Sequence, residues 1–276
     1  MRVNIIKCKI SHLSSKNAIS RPHSVCKTTS LCQKAYFCNM SESVFHFQQF
    51  SVHQDKCAMK VGSDSVILGA WADITTGKDI LDIGTGTGLL ALMAAQRNPS
   101  ASITAVEIDP DAACQAKQNV SASPWSGRIE VVQADIRYYH CGHKFDAILC
   151  NPPYFSKSLR SPKGQRNIAR HDETLDFADL SDAAARLLSE SGKFFLIVPY
   201  DSLSEITGAA AISGLQLQEC ILVHTRPCKN PKRVLLSFGH KYQEAHRTAL
   251  HIADETQAET MEYIELVKDF YLKYKT

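Results

Sequence analysis

No stretch of this chain approaches the roughly 20 consecutive apolar residues that cross a bilayer as a helix, so nothing in it reads as a membrane span. Its 276 residues include ten cysteines, yet no two form a CxxC pair. That spacing argues against common zinc and dithiol arrangements and reads as reduced thiols. His140-Cys141-Gly142-His143 has the residue types of a metal site but no second ligand pair at usable spacing, so it reads as a polar loop with no metal. Acidic residues are missing from residues 1–39, which hold seven basic ones: Arg2, Lys7, Lys9, Lys16, Arg21, Lys27 and Lys34. The rest of the chain carries 24 basic and 28 acidic residues, so a nucleic-acid contact would have to come from a local patch. The acid-free segment 1–39 fits a transit peptide or translated upstream sequence. Met40 opens a stretch with the character of a natural start, which favours the second, and in either case disorder is expected there.

From residue 40 to 276 the chain reads as one domain, long enough to bury a core without metals or disulfides. A short N-terminal arm with Phe45, Phe47 and Phe50 leads into a helical run, Val66 to Trp71. Five short apolar strings then alternate with helical patterns: 80–83, 103–108, 129–133, 145–150 and 193–198. This alternation predicts a parallel sheet with helices on both faces, an α/β fold. Segments 217–223 and 233–238 follow with only a short loop between them, holding Pro227 and Pro231. No crossover helix fits there, so they are expected to pair as an antiparallel hairpin. Met261 to Tyr274 places Ile264, Val267, Tyr271 and Tyr274 at helical spacing, a docking face onto the core.

The string Asp82-Ile83-Gly84-Thr85-Gly86-Thr87-Gly88 lies between the first apolar string and the helical segment 89–97. Glycines in such a turn allow backbone conformations closed to other residues and a close approach of ligand to main chain. The spacing is D-x-G-x-G-x-G rather than the phosphate-binding GxGxxG. A carboxylate at Asp82 would repel a phosphate but suits a cofactor carrying an amino group and a sulfonium, which S-adenosylmethionine (SAM) does. Gly84, Gly86 and Gly88 are the expected cradle. Glu107, about twenty residues on, is placed to accept from both ribose hydroxyls. Asp135, just past the third string, is placed to accept from the adenine amino group.

About sixty residues after the glycines comes Asn151-Pro152-Pro153-Tyr154, at the end of the fourth string. Ligands of open α/β sheets bind at that edge. A planar amide or adenine amino nitrogen is a poor nucleophile because its lone pair is delocalised. Two acceptors on its two N–H bonds, the Asn151 side-chain oxygen and the Pro152 carbonyl, would favour a tetrahedral nitrogen and aim the lone pair at a methyl group. Proline has no N–H and a fixed φ, which stiffens the arrangement at Pro152 and Pro153. Tyr154 offers a face on which a base could stack. Asn151 also borders the expected cofactor site.

Beyond these two motifs, the chain resembles the bacterial tRNA(Val) adenine-N6 methyltransferases, which modify the base 3′ to the anticodon. The resemblance is carried by Phe45-x-Phe47-x-x-Phe50, Met59-Lys60-Val61-x-x-Asp64, Leu68-Gly69-Ala70-Trp71, Ser123-Pro124-Trp125, Ala169-Arg170, Pro231-x-Arg233-Val234-Leu235-Leu236 and Asp269-Phe270-Tyr271-Leu272. It covers the chain from Met40 onward and does not cover residues 1–39. It implies a class I SAM-dependent methyltransferase, Rossmann-like, with a seven-stranded sheet whose last strand is antiparallel. It also implies tRNA as partner and a cytoplasmic location, and a monomer is favoured. Lys157, Arg160, Lys163, Arg166 and Arg170 put five positive charges just after the reactive tetrapeptide, suited to phosphate contacts that leave base choice to the pocket. Lys60, Lys232 and Arg233 are further candidates for substrate contact. Three rivals remain: a glutamine-N5 methyltransferase acting on a release factor, a guanine-N2 methyltransferase of ribosomal RNA, and a SAM-binding scaffold without activity. The first normally carries a helical domain ahead of the SAM domain, for which about forty residues are too few. The second usually duplicates its domain, and the intact Asn151 and Tyr154 oppose the third.

Overall fold

The computed structural model describes residues 43–57, 59–153 and 175–275. The basic extension expected at 1–39 lies outside the described residues. Strands β1 (Val44–His46) and β2 (Ser51–His53) form a small antiparallel hairpin ahead of helix α1 (Ser63–Trp71). The alternating region follows as β3 (Asp79–Ile83), α2 (Leu89–Arg97), β4 (Ser102–Glu107), α3 (Pro110–Ser121), β5 (Ile129–Gln133) and β6 (Phe145–Cys150). Then come α4 (Phe177–Leu187), β7 (Leu188–Pro199), α5 (Leu203–Ile212), β8 (Gln216–His224), β9 (Arg233–Gly239), β10 (His246–His251) and α6 (Met261–Val267).

The main sheet runs β10-β8-β9-β7-β6-β3-β4-β5. Every neighbouring pair is parallel except those made by β9, which is antiparallel to both β7 and β8. The expected hairpin is therefore present, with the reversed strand inside the sheet. One expectation is corrected here: the described sheet has eight strands, because β10 adds a parallel edge beside β8. Four of its six residues are exposed, His246 to Ala249, so it has no apolar alternation to announce it.

Successive side chains of a strand face opposite sides, and the core divides accordingly. Ile80, Ile103, Ala147, Leu149, Phe195 and Ile197 pack under α1, α2 and the C-terminal helix. Leu81, Ile83, Ile148, Phe194, Leu196 and Val198 pack under α4 and α5. Both faces are covered, which explains why the middle strands read as continuous apolar strings rather than alternating ones. Chain order reverses at β3, which lies between β4 and β6. The C-terminal ends of β3, β4 and β6 therefore meet at the switch point where such sheets bind ligands.

The C-terminal helix is shorter than its spacing predicts. It stops at Val267, and a separate turn of 3-10 helix covers Leu272–Tyr274. Beyond Val267 the chain satisfies its carbonyls on the N-terminal arm instead. Gln48 donates from Nε2 to Lys268 O (2.6 Å) and Tyr271 O (3.0 Å), and from its N–H to Phe270 O (2.9 Å). Phe47 stacks between Phe50 and Tyr271, with ring centroids 4.7 and 6.1 Å away.

Candidate active site

The turn after β3 carries three glycines with positive φ: 68° at Gly84, 55° at Gly86 and 85° at Gly88. Space is open where a side chain at Gly84 or Gly86 would stand, and both residues line a cavity of about 390 Å³. Four N–H groups of the turn are already used. Gly84 and Thr85 donate to Val106 O at 2.9 and 3.1 Å, Gly88 to Thr85 O at 2.9 Å, and Gly86 to Glu107 Oε2 at 2.8 Å. A phosphate needs such donors unpaired. The turn instead presents open space with a carboxylate beside it.

Glu107 ends β4 and is 9% exposed. Its second oxygen accepts from Asp109 N at 3.0 Å, so two main-chain donors hold the carboxylate at the cavity wall. Asp135 also lines the cavity, but it is engaged by its neighbour. Arg137 donates to it from Nε (2.9 Å) and Nη2 (2.6 Å), and these bonds are the main reason its carboxyl sits below the usual range. Apolar lining comes from Ile83, Val106, Ile108, Ile136 and Leu175. Ile108 is 52% exposed although it directly follows a buried strand.

The opposite wall is the segment after the N-terminal hairpin: Lys56, Cys57, Met59, Lys60 and Val61. Two nearly inaccessible amides of α3 moor this arm. Asn119 accepts from His53 N and donates to His53 O (both 2.9 Å) and to Thr87 O in the glycine turn (2.8 Å). Gln115 accepts from Lys56 N at 2.8 Å. Asn151, Pro153 and Ser65 also line the cavity, and Asn151 Nδ2 donates to Ser65 Oγ at 2.7 Å. Burial, reinforced by Glu107, Asp109 and Asp55, pushes the Cys57 thiol up to about 11, and burial also raises that of Cys150. Neither is a thiolate at neutral pH, so the site does not supply a cysteine nucleophile. Among the described residues no group of three or more His, Cys, Asp or Glu is arranged to hold a metal ion.

A family model described as the methyltransferase small domain matches residues 57–203. The chain is 49% identical over 233 residues to a tRNA1(Val) (adenine(37)-N6)-methyltransferase of Phocaeicola vulgatus, covering 84% of this chain and 99% of that one. A protein of the same name from Histophilus somni is 43% identical over 236 residues, covering 83% and 98%. The chain belongs to this methyltransferase family. A crystal structure of a predicted O-methyltransferase from Agrobacterium tumefaciens matches with a TM-score of 0.59 at 24% identity, over 75% of this chain and 96% of that one. That likeness concerns the fold. The class I SAM-dependent methyltransferase fold expected above is the fold observed.

Within this methyltransferase cavity the structure brings together Gly84, Gly86, Glu107, Asp135, Asn151, Pro153 and Lys60. It does not bring Asp82 or Gly88 to the lining. Asp82 is wholly buried beneath the turn, where Oδ2 accepts from Thr85 Oγ1 (2.5 Å) and Ala91 N (3.2 Å), and Oδ1 is sealed from solvent without a partner. Gly88 faces α3, and a side chain there would stand 3.5 Å from Ala116. Pro152 is buried behind Asn151. Arg233 forms an ion pair with Asp64, Nε to Oδ2 2.7 Å, while Lys232 beside it is exposed. Tyr154, Lys157, Arg160, Lys163, Arg166 and Arg170 lie outside the described residues. Sequence reasoning missed Ser65, Ile108, Ile136 and Arg137. An apolar residue placed directly after a strand-ending acid was a usable signal for Ile108, whereas nothing local singled out Ser65.

Proposed function

We propose that this methyltransferase moves the methyl group of SAM to the exocyclic N6 of the adenine at position 37 of tRNA(Val), acting as a monomer in the cytoplasm. The observation that carries the reading is the Asn151 carboxamide at the end of β6, in one cavity with the glycine turn and Glu107. The residues suit SAM. The cavity volume lies in the range of small-molecule sites, four of the turn donors that could bind a phosphate are used internally, and the lining joins carboxylates to an apolar cleft.

Glu107 would hold the ribose hydroxyls of SAM through the lone pairs left over by the two N–H bonds it accepts. Ile108 and Ile136 would flank the cofactor's adenine, and Asp135, kept ionised by Arg137, would accept from its amino group. Asp82 and Gly88 act from behind, the first stiffening the turn and the second seating α2 against α3. When bound, SAM supplies a methyl group made electrophilic by its sulfonium. Asn151 Oδ1 and the Pro152 carbonyl each accept one N–H of the target amine. Conjugation of the nitrogen with the ring is thereby weakened, and its lone pair is directed at the incoming carbon. An aromatic face such as that of Tyr154 would suit the target base, which an anticodon loop presents already partly unstacked.

Phosphate contacts come from cations at the same edge of the sheet. β8 runs parallel to β7 and β6, so the loop from β8 to β9 lies at the end where Asn151 stands. Arg226, Lys229 and Lys232 are exposed on that loop. Lys232 precedes β9, two strand spacings or about 10 Å across the sheet from β6. Lys60 lines the cavity, and the five cations between 157 and 170 would add positive charge next in sequence to Asn-Pro-Pro-Tyr.

The reading is tested by incubating the protein with labelled SAM and total tRNA, then digesting the tRNA for nucleoside mass analysis. Expected is N6-methyladenosine at position 37 of tRNA(Val). Label in a protein fraction with none in tRNA would favour the glutamine-N5 rival, and SAM binding without any transfer would favour the scaffold.

A further inference from the structure

We infer that Ser65, in the first turn of α1, is a positioning residue that holds the Asn151 carboxamide where it meets the target amine. The inference rests on the proposed role of Asn151 and deepens it. A primary amide has nearly the same shape with its oxygen and nitrogen exchanged, so only hydrogen bonds decide which end points where. The terminal torsion of Asn is broad and imposes no choice of its own. The two orientations differ completely in chemistry. The oxygen accepts an N–H of the target amine, whereas the nitrogen would confront that N–H with another donor.

A hydroxyl bonds either end of an amide, so what Ser65 fixes is the place of the carboxamide, and in the structure it is the nitrogen that faces it. Asn151 Nδ2 donates to Ser65 Oγ at 2.7 Å, between residues 86 positions apart in sequence that line the same cavity. The oxygen is thereby turned away from α1. Ser65 itself stands on a rigid mount. On one side its neighbour Asp64 is paired with Arg233 at the start of β9, at 2.7 Å. On the other, Val66, Ile67 and Leu68 are at most 1% exposed in the core. The hydroxyl is thus placed by the sheet and the core, not by cofactor or substrate. Preorganisation of this kind acts on the rate of transfer more than on binding.

The test uses four proteins, Ser65→Ala, Ser65→Thr, Asn151→Ala and the Ser65→Ala/Asn151→Ala double variant, beside the unmodified chain. Single-turnover transfer to tRNA(Val) and the dissociation constant for SAM are measured on each. Ser65→Ala is expected to slow transfer about ten- to a hundred-fold and to leave SAM affinity within about threefold. Ser65→Thr keeps the hydroxyl and should recover most of the rate. In the Asn151→Ala background the loss of Ser65 should cost nothing further, because no amide remains to be oriented. A purely structural role for Ser65 would instead lower the rate by the same factor in both backgrounds, and that result overturns the inference. An unimpaired Ser65→Ala beside a crippled Asn151→Ala overturns it while sparing the role of Asn151. An unimpaired Asn151→Ala removes both.

Discussion

The side chain of Asn98, at the end of α2, uses both ends of its amide. It donates to Ile74 O (2.6 Å) and Gly77 O (2.7 Å), and accepts from Ser100 N, Ser100 Oγ and Ala101 N at 3.0–3.1 Å. It is 1% exposed, so removing it strands several buried groups at once. Asn98→Ala is expected to cost about 3 kcal/mol in urea unfolding, and a loss below about 1 kcal/mol would show that water replaces those bonds. Asp82 makes a second prediction. Burial pushes its carboxyl up to about 7, against the opposing pull of the Thr85 hydroxyl and the Ala91 N–H. In the unfolded chain the group titrates near 4. The folded protein therefore keeps a proton that the unfolded one has lost between about pH 4 and 7. The stability this group contributes is full below that window, declines across it and is flat above. Asp82→Asn still accepts from Thr85 and Ala91 but does not titrate. Its stability relative to the unmodified chain should rise by up to about 4 kcal/mol across the window, and parallel pH profiles would refute the assignment. Such residues also mark what the sequence could not tell. The identities of Asp82, Gly88 and Arg233 were legible, but not the directions in which they face. Only the packing of α2, α3 and α1 decides that.

At the scale of elements, strands buried on both faces were the easiest to read, and β5 and β6 have the bounds their apolar strings predict. The misses have physical causes. β10 pairs through its backbone while most of its side chains face water, so it leaves no hydrophobic signature. The C-terminal stripe kept helical spacing past the point where Gln48, about 220 residues upstream, captures the carbonyls of the tail. The loop from β8 to β9 carries the third prediction. Replacing Arg226, Lys229 and Lys232 together by Gln should weaken tRNA binding and lower the slope of log affinity against log salt by about 2. SAM affinity should stay as it was. An unaltered slope would exclude the loop from the RNA path.

For the whole molecule, the cavity is bounded by β3, β4, β6, α1 and the N-terminal arm, so occupying it ties distant parts of the chain together. SAM at a hundred times its dissociation constant should stabilise the fold by about 2.7 kcal/mol. For a domain of this size that raises the midpoint of thermal unfolding by about 5–10 °C, and no shift at saturating SAM would contradict the site. The location of the site was legible because the order of the two motifs, one after β3 and one after β6, places them on either side of the switch point. Of the far wall, Met59-Lys60-Val61 was legible through the resemblance, whereas Lys56 and Cys57 were not, since their place depends on how Asn119 and Gln115 of α3 hold the arm.

That tether has a consequence during synthesis. The contacts of Gln48 with Lys268, Phe270 and Tyr271 join residues more than 200 positions apart. At 5–20 residues per second a ribosome needs roughly 10 to 45 s between making one partner and the other. For about the second half of that delay a nascent polypeptide already owns its glycine turn and its Asn-Pro-Pro-Tyr, yet lacks the clasp that joins its N-terminal arm to its C-terminal tail. Translation thus sets a timer on competence, and a fragment released early by a stalled ribosome should leave RNA unmodified.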